Sequence, residues 1–415
     1  MFAINPIAIF AFLVLISCHR AELIRDSTLD LNEIAWHWEQ PQIFLGSPSI
    51  LRLKSGILLA SADRFGKGFI SERNVSIYRS TDNGNTWEFK TWVKDQYWSN
   101  LFQLNQNSKD IYLLGTSTDG PAPIKISKSS DDGLTWDETT LLFGEIHGNS
   151  SYETGPTPSL ISNGFVYRAM ERLAPPLFRW GADYQAVCVY AKVGSDLLDK
   201  NSWTLSKPLP FNKSWIPSDW EPKPNVPGYL EGNMVEGPDG NIYDILRFNT
   251  RPYVGNKAII LKFNQHENEF IFDSIIELPG GHTKFVIHRD TSTGIYVTLS
   301  NPQTVNNATD QRNILSLCSS KDMRNWVEHK VILQDDTGFD MEDSIRYTGF
   351  HYVDWHFDGN DDENIIMAVR TAYRGAVSYH NSNRLTYKVI PNWRQIVVND
   401  RVGNIKSHTV SFTCK

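Results

Sequence analysis

Ser80-Thr81-Asp82-Asn83-Gly84-Asn85-Thr86-Trp87 and Ser129-Ser130-Asp131-Asp132-Gly133-Leu134-Thr135-Trp136 share the pattern S-x-D-x-G-x-T-W and lie 49 residues apart. Recurrence of five fixed positions in one register restricts this chain more than any other feature. Each copy follows strand-like apolar residues (Val75, Ile77 and Tyr78; Ile124 and Ile126) and leads into another strand-like run. The side chains suit a tight hairpin. Asp and Ser bond nearby backbone N–H groups, Gly accepts a positive φ, and Trp packs the turn onto the sheet. A strand–turn–strand unit repeating at this interval predicts an array of small sheets, whose commonest closed form is the β-propeller.

Composition supports stacked sheets and excludes other classes. Aromatic residues make up 12% of the 415 residues, and Trp alone numbers 13, a load suited to sheet packing and to sugar-binding surfaces. The formal charge of −7 is mild and the basic residues are scattered, which argues against nucleic acid as a partner. The apolar run of residues 1–17 carries no charged side chain and reads as a signal peptide ending at about residue 18. Export is therefore expected. Leu15-Ile16-Ser17-Cys18 also resembles a bacterial lipobox, which would anchor the mature protein through Cys18. Sequons at Asn74, Asn149, Asn212 and Asn307 would accept glycans in a eukaryotic secretory pathway. Beyond Cys18 only Cys188, Cys318 and Cys414 remain, so one disulfide at most can form in the mature chain. No Cys/His cluster suggests a metal, and no cofactor is implied.

The strand pattern divides the chain into six units. Strands over 43–53, 56–65, 75–79 and 88–93 make one four-stranded blade around the first octapeptide. The second blade uses 101–104, 111–115 and 124–127 with the second octapeptide. A third begins near Pro158, continues through 186–190 and ends at 195–203, an enlarged turn that keeps Ser, Asp and Trp. The Pro-rich stretch 208–227 is expected as a long inter-blade loop over one face. The fourth blade runs from Glu231 through 241–248 and 258–263. The fifth covers 284–288, 295–299 and 314–318, then Ser320-Lys321-Asp322-Met323-Arg324-Asn325-Trp326, an octapeptide one residue short. The sixth contains 351–357, 365–370 and 384–390, and either 393–415 or 34–38 supplies the closing strand. The expected fold is all-β, a six-bladed β-propeller of about sixty residues per blade over residues 30–415, with no second domain.

The octapeptide resembles the Asp-box of sialidases and related six-bladed propellers. Such boxes mark a fold and not an activity. Three further segments resemble sialidases. Glu231-Gly232-Asn233-Met234-Val235 followed by Pro238-Asp239-Gly240 and Arg247 resembles the family's Glu-to-arginine blade. Ser300-Asn301-Pro302 with Arg312-Asn313-Ile314-Leu315 resembles the segment bearing its last substrate-binding arginine. Tyr352-Val353-Asp354-Trp355 resembles the strand carrying its nucleophile. The chain departs from the family twice. The first arginine, two residues before Pro in an R-I-P motif, is replaced by Gly46 in Gly46-Ser47-Pro48-Ser49. The acid/base Asp has no secure counterpart, since Asp63 sits early and Glu72 lies nearer the expected spacing.

The resemblance implies retaining exo-hydrolysis of a terminal, acidic sugar from a glycan, with Tyr352 and Glu231 as the nucleophilic pair and Arg247 and Arg312 as the anchor. Asp63 is the candidate acid/base. Guanidinium suits a bidentate anion contact. A neutral phenol suits attack on an anomeric carbon that bears a carboxylate, because a carboxylate nucleophile would be repelled there. Asp354 shares the Tyr352 strand and, by the period of two, its face, making it a second pocket carboxylate or a partner of one of the arginines. His282, in Pro279-Gly280-Gly281-His282-Thr283-Lys284, is a candidate ligand contact on a loop expected to be flexible. Arg168 and Glu171, Arg370, Trp180, Trp215 and Trp220 also stand out without an assigned role. Two other readings compete: a glycan-binding propeller without catalysis, and a hydrolase or lyase for uronic-acid polysaccharides in which His282 would matter.

Overall fold

The computed structural model describes residues 27–37, 43–66, 74–118, 122–144, 151–173, 179–221 and 223–399. The expected signal peptide with Cys18, and Glu72, Asn149 and Cys414, lie outside the described residues. Six antiparallel sheets follow one another along the chain as a six-bladed β-propeller. Blade one comprises Phe44–Arg52, Leu58–Phe65, Asn74–Ser80 and Glu88–Lys94, within about two residues of the expected strands. Blade three differs from expectation. Its innermost position is shared by Ser151–Glu153 and Leu160–Ser162, both paired with Phe165–Leu173, so it starts earlier than Pro158.

Each blade buries both faces, and this explains its apolar runs. In blade four, Ile259, Leu261 and Phe263 pack toward blade three, whereas Ala258 and Ile260 on the same strand pack toward blade five. In blade six, Ile365, Met367 and Val369 face blade five, and Ile366 and Ala368 face blade one. Successive residues of a strand point to opposite faces, so a strand between two sheets must be apolar at nearly every position.

The N-terminal segment closes the ring. Asn32–Trp36 forms the outermost strand of blade six, antiparallel to Arg384–Ile390, and Arg384 donates to Glu33 at 2.6 Å. Of the other segment expected to close the ring, the described part, Trp393–Asn399, forms a helix, and residues 400–415 lie outside the described residues.

The repeated turns use the expected bonds. Asp82 accepts from the Thr86 N–H (2.9 Å) and hydroxyl (2.6 Å), and Asp131 treats Thr135 alike at 2.8 and 2.5 Å. The Trp87 and Trp136 indoles donate back to the Gly84 and Gly133 carbonyls. The shortened third copy keeps this scheme. Asp322 accepts from the Asn325 N–H (2.8 Å) and side chain (2.7 Å), and Trp326 donates to the Met323 carbonyl. Met323 takes the φ of 59° that Gly supplies in the other copies. Gly84 has a second reason to be Gly, because a Cβ there would lie 2.2 Å from the Tyr387 ring of blade six. The 208–227 stretch packs on the outside of blades three and four, with Trp215 stacked on Phe272 at 4.4 Å.

Candidate active site

The innermost strands of blades one, two, four and six share an irregularity. Their pairing with the next strand slips between Leu45 and Pro48, between Tyr97 and Asn100, between Leu230 and Asn233, and between His351 and Asp354. Inside three of these bulges a non-glycine residue holds a left-handed backbone: Trp98 (φ 45°), Glu231 (φ 55°) and Tyr352 (φ 50°). That conformation costs on the order of 1–2 kcal/mol for an L-residue. Regular pairing on either side holds it in place, and the bulge re-aims the side chain. All four bulges line one cavity of about 440 Å³ at the mouth of the ring, with Gly46 and Ser47 in the blade-one position.

The cavity wall carries a buried hydrogen-bonded chain. The Tyr352 hydroxyl donates to Glu231 Oε1 at 2.5 Å, and Arg247 Nη1 donates to Glu231 Oε2 at 2.8 Å. Burial, and then the Glu231 charge, push the Tyr352 pKa above the ordinary phenol range. Tyr352 therefore rests protonated, with its proton aimed at a carboxylate. Burial pulls the Arg247 pKa down, but the neighbouring Glu231 outweighs it and the guanidinium stays charged.

Three more arginines face the cavity. Arg312 donates through Nη1 to the carbonyls of Thr309 and Gln311 and lies over the Tyr379 ring at 5.9 Å. Burial, and then the Arg247 charge, lower its pKa to about 10. Arg251 pairs with Asp310 at 2.7 Å, and it and Arg247 flank the Trp180 ring, each 5.1 Å from its centre. Arg370, from the second strand of blade six, completes the set.

Asp63 also lines the cavity, with Oδ2 accepting from Ser47 N (3.2 Å) and Oδ1 from Trp98 N (3.0 Å). It thus ties the bulges of blades one and two together. In ring order blade one lies opposite blade four, so Asp63 faces Glu231 across the cavity. The structure brings Tyr352, Glu231, Arg247, Arg312 and Asp63 together from four blades.

Two residues expected at the site are placed elsewhere. His282 does not line the cavity. Its carbonyl accepts from Arg247 Nε (2.9 Å) and its Nδ1 accepts from Asn256 N (2.9 Å), so it braces Arg247 from behind. Burial, and then Arg312 and Arg247, keep its imidazole neutral. Asp354 belongs to a ring of polar groups that joins the inner strands. Its Oδ2 accepts from Ser49 Oγ (2.7 Å) and Ile50 N (2.8 Å), and Ser49 Oγ in turn accepts from Asn100 and Leu101. It shares a strand with Tyr352, but the bulge between them breaks the period of two on which a common face depended. Neither Arg247 nor Arg312 is its partner. Asp354→Ala is expected to lower stability by about 3 kcal/mol, because it orphans buried donors between blades six and one. A urea midpoint unchanged from wild type would contradict this placement.

Among further cavity residues Glu153 and Tyr184 had no sequence signal, whereas Glu171 stood out without a role. The Tyr184 hydroxyl donates to Glu153, and Glu171 Oε1 accepts from Gly232 N at 3.2 Å. Burial, and then Asp244, push the Glu171 pKa well above the ordinary carboxylate range. Arg168 beneath them is fully buried and clamps the Gly155–Thr157 carbonyls. Burial also raises Asp244, from 3.8 to about 8. A carboxyl raised on folding contributes stability at low pH that is lost as the pH rises through the folded value. The stability of Asp244→Asn relative to wild type should therefore grow between about pH 4 and pH 8. Urea titrations at pH 4.5 and 8 check this, and a pH-independent difference would contradict it.

The sequence matches no protein-family model and no curated protein sequence. Solved structures do share the fold. An alpha-L-arabinanase of Penicillium chrysogenum complexed with arabinobiose matches with a TM-score of 0.57 at 15% identity, over 88% of this chain and 99% of that one. The GH93 alpha-L-arabinofuranosidase of Fusarium graminearum matches at 0.56 and 13%, over 88% and 98%. A K499G mutant of the NanB sialidase of Streptococcus pneumoniae matches at 0.55 and 13%, over 89% and 71%. At these identities the likeness extends to the propeller fold.

Proposed function

We propose that this protein is a retaining exo-glycosidase that releases a terminal acidic sugar, sialic acid or a related acid, from a glycan. The carrying observation is the Tyr352–Glu231–Arg247 chain on the cavity wall. In the first step Tyr352 Oη bonds to the anomeric carbon as the glycosidic C–O bond breaks. The phenol proton passes to Glu231 Oε1, and the leaving oxygen takes a proton from the Asp63 carboxyl. In the second, Asp63 removes a proton from water, the water oxygen displaces Tyr352, and the phenolate recovers its proton from Glu231. Two displacements at one carbon retain the anomeric configuration. Use of a phenol fits a substrate whose anomeric carbon carries a carboxylate. The neighbours named above include a sialidase and two arabinan-related enzymes, which supports a glycan-active propeller.

The uronate-lyase reading loses its sequence basis, because His282 braces Arg247 and does not line the cavity. The test is hydrolysis of a panel of 4-methylumbelliferyl glycosides comprising an α-sialoside, a β-glucuronide, an α-arabinofuranoside and a β-galactoside. Turnover of an acidic member, with the first-formed product anomer matching the substrate by NMR, is the expected result. Turnover confined to neutral members, or inversion, would overturn the proposal.

A further inference from the structure

We infer that Arg370, acting with Arg312, binds the sugar carboxylate, and that blade six thereby supplies the guanidinium that blade one lacks at Gly46. This rests on the acidic-sugar reading above and adds a residue to it. The argument starts from the bulges. Arg247 stands opposite Leu230, the residue before the blade-four bulge, and Arg370 stands opposite His351, the residue before the blade-six bulge. The two arginines are equivalent positions of the repeat. Each reaches the bulge residue of its own blade: Arg247 bonds Glu231, and Arg370 lies over the Tyr352 ring at 5.0 Å.

Their charges differ in one respect. Arg247 is neutralised by Glu231, whereas Arg370 has no carboxylate in ion-pair contact among the described residues. Arg370 donates Nη2 to the His380 carbonyl (2.6 Å) and Nε to Ser382 Oγ (3.3 Å), and is packed between the Phe65 and Tyr352 rings. Nη1 has no hydrogen-bond partner among the described residues. Arg312 has two backbone carbonyls on Nη1 and, among the described residues, likewise no carboxylate in ion-pair contact. Both arginines are 4% exposed. Two buried guanidiniums that face a cavity and bond only to carbonyls and a hydroxyl are costly until an anion compensates their charge. The imidazoles between them add no competing charge. Burial, and then Arg370, hold His380 down at about 4, and His351 is likewise kept neutral by burial, Arg370 and Arg312.

Gly46 explains why the cation comes from blade six. A Cβ at Gly46 would lie 2.8 Å from Asp63 Oδ2 and 3.0 Å from the Asp63 carbonyl oxygen. A side chain at that point would force Asp63 to shift from its bridge between blades one and two. Arg370 reaches the same side of the cavity, since it packs on Phe65 and its partner Ser382 donates to the Leu45 carbonyl.

The test reads binding and not turnover. Isothermal titration of the full chain with N-acetylneuraminic acid and with glucuronic acid is compared with titration of their methyl esters, for wild type, Arg370→Gln and Arg370→Lys. Wild type is expected to prefer at least one free acid over its ester by tenfold or more. Arg370→Gln should reduce that preference to twofold or less with little change in ester affinity, and Arg370→Lys should keep part of it. If Arg370→Gln does not fold, Arg370→Lys decides, since loss of the planar fork should still cut the preference several-fold. An undiminished preference in the variant that folds, or none in wild type, overturns the inference. Hydrolysis of an acidic glycoside with Arg370 irrelevant to binding would sink the inference alone. Acid-selective binding without hydrolysis would sink the catalytic reading alone.

Discussion

Tyr352→Phe is expected to lower kcat/KM on the acidic glycoside by about a thousandfold, with the melting temperature within a few degrees of wild type. The phenol oxygen is the only heavy atom removed, and it donates to Glu231 Oε1 at 2.5 Å. Glu231→Gln should cost a similar factor, because an amide cannot take the phenol proton. The double variant should be little worse than either single one, since the two groups act as a unit. Steady-state kinetics on all three proteins provide the check. Multiplicative losses would mean that Tyr352 and Glu231 act independently and that the proton path is wrong.

Removing Arg247 should affect the fold more than removing Tyr352. Glu231 and Arg247 are both nearly excluded from water and share a 2.8 Å contact. Breaking a buried pair by deleting one partner typically costs about 3–5 kcal/mol, because the remaining charge is left uncompensated. Arg247→Met should therefore destabilise by about that amount. Adding Glu231→Gln to it should recover most of the loss, since the orphaned charge is then gone. Denaturant titration of the two single variants and the double variant closes the cycle. Recovery below about 1 kcal/mol would show that Arg247 stabilises by packing on Trp180 and not through Glu231.

Much of this was legible in the chain itself. The octapeptide copies set the phase of the blades, and alternation in the flanking runs located most strands within a few residues. Glu231, Arg247, Arg312 and Tyr352 could be picked out because their flanking segments resemble sialidase segments, although the four are spread over three blades. Asp354 and His282 show where such reading stops. Each stands beside a site residue in sequence, yet a bulge turns Asp354 into the inter-blade ring, and a loop presents the His282 carbonyl, not its imidazole, to Arg247.

Arg370 shows the complementary failure. It was visible at the end of a strand, but nothing local distinguishes it from an arginine in a structural ion pair. Its role depends on a second blade, because Phe65 lies 305 positions earlier (370 − 65). The bulges were equally silent, since Trp98, Glu231 and Tyr352 take left-handed backbones that their residue types disfavour and that only the surrounding sheet can impose.

By itself, then, the sequence determined the repeating unit, its turns and its number. These rest on hydrogen bonds spanning four or five residues and on side-chain alternation, both local in the chain. Only the tertiary structure decided which segment closes the ring, which side chains reach the cavity and which cations remain without a carboxylate. Those depend on contacts between blades, and hence on distances in space that residue order does not encode.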